Sequence, residues 1–229
     1  MRRRQPQHRG AGVITSIATK RSRSDRVAVR LDGMPAFDVA SGVAEEAGLK
    51  VGDRLSEEDQ ERLLRLDAPY RAREKALSLL SLRDRSRREV QTRLKSAGFE
   101  EEVILEVITW LEGLDYLDDG RFTTGFVVEK QRAGWGPQRI RAELLRKGVE
   151  RSLVEEGLSS EKHGDAAAEG METAIALARR RFGRQFREDP ASASRRLAAF
   201  LARRGYDWDS INTITRLLVT EAEGECETV

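Results

Sequence analysis

Residues 140–149 read Ile-Arg-Ala-Glu-Leu-Leu-Arg-Lys-Gly-Val, and the predicted architecture can be built outward from this segment. Ile140 and Leu144 lie eight and four positions before Gly148, so both side chains fall on one face of a helix. A glycine at that position is suited to end a helix in the left-handed conformation. An apolar residue, Val149, follows at once. The segment therefore predicts an amphipathic helix followed by a tight turn into another helix.

The same spacing around a glycine occurs in two other segments, Val90–Phe99 and Leu197–Tyr206. Each has an apolar residue eight positions before its glycine, a leucine four positions before it and an aromatic residue directly after it. The three glycines are 50 and 57 residues apart, a period typical of tandem arrays. A further amphipathic segment precedes each pair, at Ala76–Leu82, Phe122–Gln131 and Met171–Phe182. The repeating unit is therefore predicted to be three helices, used three times.

The predicted fold class is mainly α: a tandem array of three three-helix modules, with a small N-terminal antiparallel β element. Alternating apolar residues between 12 and 40, with Asp32-Gly33 as a hairpin turn, predict the β element. The predicted segments are a disordered basic arm (1–11), an N-terminal β-hairpin and helix region (12–66), modules one to three (67–114, 115–160 and 161–220) and a disordered acidic tail (221–229).

Capping residues support these helix boundaries, because short polar side chains or a first-turn proline favour a helix start. The predicted caps are Asp67 before Pro69, Ser86 with Glu89 as a capping box, Asp118, Gly136 before Pro137, and Asp207.

Charge is abundant in this chain but segregated by sign. Charged residues make up 35% of the 229 residues, the net charge is only +2, and arginine supplies 34 of the 41 cations. Residues 179–204 carry nine basic side chains against two acidic ones, whereas the four charges beyond Thr220 are all glutamates. Arginine presents a planar fork that matches phosphate and carboxylate groups. This pattern indicates an acidic partner, with a merely solvated, highly charged surface as the alternative; we also hypothesise that the tail competes for the basic faces.

Catalytic and metal-binding motifs are not evident in the sequence. The one cysteine, Cys226, excludes an internal disulfide, and the two histidines, His8 and His163, lie in polar segments. Asp118-Asp119 has the residue types of a metal site, but a helix cap is the simpler interpretation. We therefore expect a protein that is not an enzyme and needs no cofactor. No apolar run approaches the roughly 20 residues of a membrane span, which favours a soluble cytoplasmic protein.

The basic residues become informative when they are placed on the repeat. Positions nine and two before each glycine lie seven residues apart on one helix face, beside the apolar stripe. In modules two and three both positions are arginine, and another basic residue stands directly before the glycine. Module one has Glu89 and Ser96 instead, with basic residues on a nearby line. The candidate contact residues are Arg88, Lys95, Arg139, Arg146, Lys147, Arg196, Arg203 and Arg204.

Taken together, these motifs resemble the RecX family over roughly residues 12–219. The resemblance is carried by residues 76–90 (ALSLLSLRDRSRREV), 117–122 (LDDGRF), 136–149 (GPQRIRAELLRKGV) and 200–206 (FLARRGY). The N-terminal β region is similar to the extension of the longer family members.

This resemblance implies a function by binding. Family members lodge in the groove of the RecA filament on single-stranded DNA and generally dampen strand exchange, ATP hydrolysis and the coprotease role of the filament. The implied role is therefore in homologous recombination, DNA repair and control of the SOS response. The expected partners are the RecA filament and single- or double-stranded DNA, with a monomeric protein and no membrane. The alternative is a helical repeat protein that binds nucleic acid independently of RecA.

Overall fold

The computed structural model describes residues 10–19 and 25–226. The chain forms two compact units: the first contains the chain up to Leu82 together with Thr92–Leu111, and the second contains Arg83–Gln91 together with the chain from Glu112 onward. Most of the predicted basic arm, and the last three residues of the predicted tail, lie outside the described residues.

The β element is a four-stranded antiparallel sheet in the order β3-β2-β1-β4. Its strands are β1 (Gly12–Thr19), β2 (Arg26–Leu31), β3 (Met34–Ala40) and β4 (Arg54–Leu55). The predicted hairpin turn is confirmed, since Asp32 and Gly33 both have positive φ angles, of 48° and 79°. The sequence predicts two or three strands. The fourth strand, β4, is only two residues long, which is too short for an alternating pattern to reveal.

Two helices cover this sheet. They are α1 (Ser41–Glu46) and α2 (Glu57–Leu80). Ser56 caps α2 through a capping box with Asp59. The core that they enclose with the sheet includes Ile14, Val29, Leu31, Val39, Val43, Leu55 and Leu63.

The predicted helix start at Asp67 is wrong, because α2 runs without interruption from Glu57 through Pro69 to Leu80. Asp67 is fully buried, and it bonds to the sheet instead of capping a helix. Its carboxylate accepts hydrogen bonds from the Arg26 guanidinium at 2.6 Å and from the Ala40 N–H at 2.8 Å. The Arg26 side chain is itself only 6% exposed. A buried ion pair therefore joins α2 to β2 and β3.

We expect Asp67→Ala to destabilise the first unit by about 3–5 kcal/mol, because it leaves a buried guanidinium without its main counter-charge. The measurement is the free energy of exchange of the β1–β3 amides, followed by hydrogen–deuterium exchange in the full chain. Glu61→Ala is the matched control, since Glu61 pairs with Arg65 on the exposed face of the same helix. Equal effects of the two substitutions would contradict a structural role for the buried pair.

The remaining helices supply the repeat. They are α3 (Arg87–Ser96), α4 (Glu101–Gly113), α5 (Asp119–Arg132), α6 (Pro137–Arg146), α7 (Arg151–Leu158), α8 (Ser160–Glu188), α9 (Pro190–Arg204) and α10 (Trp208–Cys226). The apolar positions of the repeat frame are buried in all three modules: Val90, Leu94, Ile104, Ile140, Leu144, Val154, Leu197, Leu201 and Ile211. The predicted mainly helical fold is confirmed.

Each repeat glycine ends its helix as predicted. Gly98, Gly148 and Gly205 have φ angles of 87°, 79° and 85°. The residue after each glycine donates its N–H, over 3.1–3.3 Å, to the carbonyl of the leucine four positions before the glycine. The glycine N–H itself donates to the carbonyl of the residue that follows this leucine. This is the Schellman arrangement, in which two otherwise unpaired carbonyls of the last turn find donors. The predicted caps at Asp118 and Asp207 are also present.

The predicted disorder from residue 221 is wrong for its first six residues, because α10 continues to Cys226. Two contacts within the second unit account for the extension. The Glu221 carboxylate pairs with the Arg179 guanidinium of α8, and Ala222 packs against the core of module three. The polar segment from Ser160 to Gly170, which has no apolar period, likewise forms the first part of α8.

Candidate functional site

The start of α3 is bonded to the glycine turn that follows α6, within the second unit. The Ser86 hydroxyl accepts from the Glu89 N–H of its own capping box and donates to the Lys147 carbonyl at 2.6 Å. That carbonyl lies directly before Gly148, where the ending helix leaves it without a partner of its own. The Arg88 side chain covers Gly148 so closely that a Cβ there would come within 2.0 Å of its Cδ. Side-chain contacts therefore join the start of α3 to the turn after α6, and we call this contact the first junction.

The second junction repeats this geometry with backbone groups. The Gly136 N–H, at the start of α6, donates to the Arg204 carbonyl at 2.8 Å, and the Gln138 N–H donates to the Gly205 carbonyl at 3.0 Å. A Cβ on Gly205 would lie 2.3 Å from the Arg139 nitrogen, and one on Gly136 would lie 2.3 Å from Gly205. Modules two and three are therefore joined by backbone hydrogen bonds that require both glycines.

A second contact supports this junction from the side of α8. The Tyr206 hydroxyl donates to the Gly170 carbonyl at 3.2 Å. Burial raises the pKa of Tyr206 to about 12, so the hydroxyl stays protonated and remains a donor at neutral pH. The Arg132 guanidinium also pairs with Glu169 at 2.7 Å.

Lys147 and Arg204, both candidate contact residues, take part in these junctions. The Lys147 ammonium pairs with Glu89 at 2.9 Å, and its side chain is only 18% exposed. The Arg204 guanidinium donates to the carbonyls of Ala133 and Gly134 and lies 4.9 Å from the Phe200 ring centroid. Both cations already have partners inside the protein, so they are less available to an external partner than their sequence positions indicate.

Glu89 is the electrostatic centre of the first junction. Burial alone would raise its pKa, but hydrogen bonds from Arg83, from Lys147 and from the Ser86 N–H outweigh burial and lower the pKa to about 2. The carboxylate is therefore ionised at neutral pH, and the cluster remains a network of complementary charges.

The first junction should weaken in acid. Since the folded pKa of Glu89 lies below its ordinary value of 4.5, the stability it contributes is full above pH 4.5 and is lost as the pH falls toward 2. We expect Glu89→Gln to lower the melting temperature at pH 7, and the difference from the parent protein to shrink below pH 4.5. Glu172→Gln is the control, because Glu172 is exposed on α8 without a partner among the described residues. A difference independent of pH would contradict this role.

The second junction can be tested by alanine at three glycines. Gly98 and Gly205 share the left-handed conformation, but only Gly205 is closely covered, and Gly183 in α8 is neither left-handed nor covered. We expect Gly98→Ala to cost about 1–2 kcal/mol, Gly205→Ala to cost roughly 1–3 kcal/mol more, and Gly183→Ala to be neutral or stabilising. Exchange of the Gly136 and Gln138 amides measures the loss of the junction. Equal costs at Gly98 and Gly205 would show that the close approach is unimportant.

The other candidate residues are placed differently. Arg139, Arg146, Arg196 and Arg203 are all exposed on α6 and α9. Arg139 stacks on Trp135, with its guanidinium carbon 3.7 Å from the ring centroid. Arg146 pairs with Glu143, and Arg196 lies 3.5 Å from the Gln185 side chain. Arg203 has no side-chain partner among the described residues.

The structure brings these candidates together in two groups. Gly148 places Arg88 beside Lys147, and Gly205 places Arg139 beside Arg204. Lys95 pairs with Glu101 in the first unit at 3.7 Å, and both of those side chains are largely exposed.

Two concave features of the second unit were not predicted from the sequence. A groove of about 550 Å³ lies beside Phe122 and Phe126, and its rim includes Arg83, Lys130 and Lys147. A cleft of about 350 Å³ between α8 and α10 is lined by Arg179, Arg180, Gly183, Arg184, Arg187, Leu218, Glu221 and Ala222. The sequence signal for the cleft is the helical spacing of arginines at 180, 184 and 187, which places them on one helix face.

The paired aspartates at the start of α5 bond to backbone groups. Asp118 accepts from the N–H groups of Gly120 and Arg121, and Asp119 accepts from the Arg87 N–H at 2.7 Å. Burial raises the pKa of Asp119. Over the described residues, no group of three or more histidine, cysteine or acidic side chains is arranged to hold a metal ion. None of the helices in that part of the chain is long and apolar enough to span a bilayer.

Comparison with known proteins identifies the repeat. Models of the first, second and third three-helix domains of RecX match residues 72–111, 118–158 and 168–214. Each matched range lies within one predicted module.

Relatives and solved structures agree with these matches. The chain is 31% identical to the regulatory protein RecX of Bacillus licheniformis over 87% of its own length and 74% of the relative. It is 29% identical to the regulatory protein RecX of Clostridium botulinum, over 89% and 94% of the two chains. A crystal structure of regulatory protein RecX superposes with a TM-score of 0.64 and 24% identity, covering 90% of this chain and 99% of the other, which supports the fold. The chain therefore belongs to the RecX family, whose named members are regulatory proteins.

Proposed function

We propose that this chain regulates the RecA recombinase by binding the RecA filament on single-stranded DNA. In this proposal it acts as a monomer in the cytoplasm and inhibits strand exchange, ATP hydrolysis and the coprotease role of the filament. The biological setting is homologous recombination, DNA repair and control of the SOS response. The family supports the regulatory role, and the surface described above supports binding as its mechanism.

The observation that carries the proposal is the recurrence of exposed arginines at equivalent positions of two joined modules. Arg139 and Arg146 on α6 correspond to Arg196 and Arg203 on α9. Because backbone hydrogen bonds join the two modules, the two arginine pairs are held at a fixed spacing. A filament offers repeated acidic surfaces and phosphates, and a fixed repeat of cations can engage more than one of them at once.

A helical repeat protein that binds nucleic acid without RecA is the second candidate function. The arginine-lined cleft between α8 and α10 favours it, because this surface is suited to phosphate groups whether or not a filament is present.

The test of the proposal is a titration of the protein against RecA ATPase on single-stranded DNA. The DNA is in sufficient excess that binding of the protein to free DNA cannot by itself lower the ATPase activity. We expect inhibition near one regulator per few RecA subunits. Replacing Arg139, Arg146, Arg196 and Arg203 by glutamate should weaken inhibition about ten- to thirty-fold, since even about 0.5 kcal/mol per exposed pair adds to about 2 kcal/mol. Unchanged ATPase at stoichiometric protein would contradict filament regulation.

The matched control reverses four exposed cations of the first unit, Arg54, Arg62, Arg65 and Lys75. It changes the net charge by the same amount but leaves α6 and α9 intact. Circular dichroism of both variants checks that helix content is unchanged. If the two quadruple variants lose inhibition equally, the effect is one of net charge, and the arginine pairs are not the contact surface.

A further inference from the structure

We propose that the cleft between α8 and α10 is a binding site for nucleic-acid phosphates, and that Glu221 occupies part of it as an internal competitor. This inference deepens the nucleic-acid-binding part of the proposed function and rests on it, but it does not require RecA. It concerns module three alone, and all the residues involved lie in the second unit.

The cleft has an arginine wall and a small apolar floor. Four arginines of α8 line it, whereas α10 contributes one acidic residue, Glu221, beside Leu218 and Ala222. Leu218 is buried, and Gly183 leaves open space where another residue would place a side chain. The cleft is therefore wide enough to admit a polar group and is dominated by positive charge.

Partners within the protein neutralise only part of this charge. Arg184 pairs with Glu188 at 2.8 Å, and Arg179 pairs with Glu221. The Arg180 side chain is exposed and has no ion-pair or hydrogen-bond partner among the described residues. Unpaired arginine next to paired arginines is the arrangement in which an incoming anion gains contacts without first breaking every internal bond.

Phosphates fit this arrangement better than an acidic peptide does. Arg180, Arg184 and Arg187 follow one another along one face of α8, and the seven steps from the first to the last rise about 10 Å. A row of cations of that length can face more than one phosphate of a strand. A peptide site generally adds pockets for apolar or aromatic anchors, whereas the apolar lining here is one buried leucine and one alanine.

Glu221 already shows how an anion sits in the cleft. Its two carboxylate oxygens accept from the Arg179 Nε, at 2.8 and 3.1 Å, and Glu221 also accepts from the Arg179 Nη2. A phosphate would use the same fork. The hydrogen bond from Arg179 lowers the pKa of Glu221, so the carboxylate is charged at neutral pH. Both side chains are 39–52% exposed, and an exposed pair of this kind is weak enough for a phosphate to displace.

The experiment uses the full chain without RecA and measures binding of a fluorescein-labelled oligothymidylate by fluorescence anisotropy. We expect Glu221→Gln to tighten binding about two- to five-fold, because the competitor can no longer be ionised. Glu223→Gln is the matched control: it removes the same charge from the same helix, and Glu223 has no side-chain partner among the described residues. Arg180→Gln should weaken binding and reduce the slope of log affinity against log salt by about 0.7, the value for one single-strand phosphate contact.

Three outcomes would overturn the inference. Equal effects of Glu221→Gln and Glu223→Gln would show that Glu221 acts only through the net charge of the protein. An unchanged affinity and salt slope in Arg180→Gln would show that the cleft does not contact the oligothymidylate. A labelled polyglutamate peptide that binds more tightly than the oligothymidylate would assign the cleft to acidic proteins instead. Melting curves of each variant check that it is folded.

Failure here can be told apart from failure of the proposed function. If oligothymidylate binding follows these expectations while RecA ATPase is unaffected, the assignment of the cleft is correct and the proposal of filament regulation is wrong. If ATPase is inhibited while Arg180→Gln and Glu221→Gln leave oligothymidylate binding unchanged, filament regulation stands and the cleft assignment is wrong.

Discussion

An α-helix ends with carbonyl groups that its own N–H groups cannot reach, and this constraint determines how modules are joined in the second unit. After α6 and α9 a left-handed glycine turns the chain and leaves the preceding carbonyl, of Lys147 or Arg204, exposed to a neighbour. The start of an earlier helix supplies the donor, through the Ser86 hydroxyl at one junction and the Gly136 N–H at the other. Each junction therefore satisfies two helix ends at once, because a helix start brings spare donors and a helix end brings spare acceptors. The repeat glycine is needed both for its φ angle and for the close approach.

This way of joining modules has a consequence for the charged surface. The basic residue directly before each glycine belongs to the junction, since its carbonyl is bonded there and its side chain turns toward nearby acceptors or aromatic rings. Lys147 bonds to Glu89, and Arg204 bonds to the carbonyls of Ala133 and Gly134. The positions nine and two before the glycine lie on the exposed side of the same helices. The charges available to a partner are therefore those of Arg139, Arg196 and Arg203 more than those of Lys147 and Arg204.

The helical repeat could be predicted from the sequence because its signals are local. Spacing of four and eight residues, a glycine at the helix end and short capping side chains each act within one or two turns, and all three point to the same boundaries. The failures are non-local. Asp67 has the local character of a cap, but it is bonded to Arg26, which lies 41 residues earlier. Likewise, Glu221 is part of an acidic stretch that should be disordered on its own, but Ala222 packs against the core of module three and Glu221 pairs with Arg179, 42 residues away. Arginines on exposed helix faces could be predicted from the sequence, but the internal partners that the fold gives some of them could not.

The net charge is only +2 because 39 acidic residues offset 41 cations, and internal pairing determines where basic surfaces remain. The acidic residues are not spread evenly: Glu89, Glu143, Glu188 and Glu221 each lie within bonding distance of a particular lysine or arginine. Such pairs are of two kinds. The partly buried pair of Glu89 and Lys147 holds a junction together and resists exchange, because separating it would leave charges in a poorly solvated place. The exposed pairs contribute little to stability and can exchange one anion for another at small cost. A regulator that must bind and release needs cations of the second kind at its contact surface. Within the second unit, exposed pairs of this kind lie on α6 and α8, while the partly buried pair of Glu89 and Lys147 lies at the first junction.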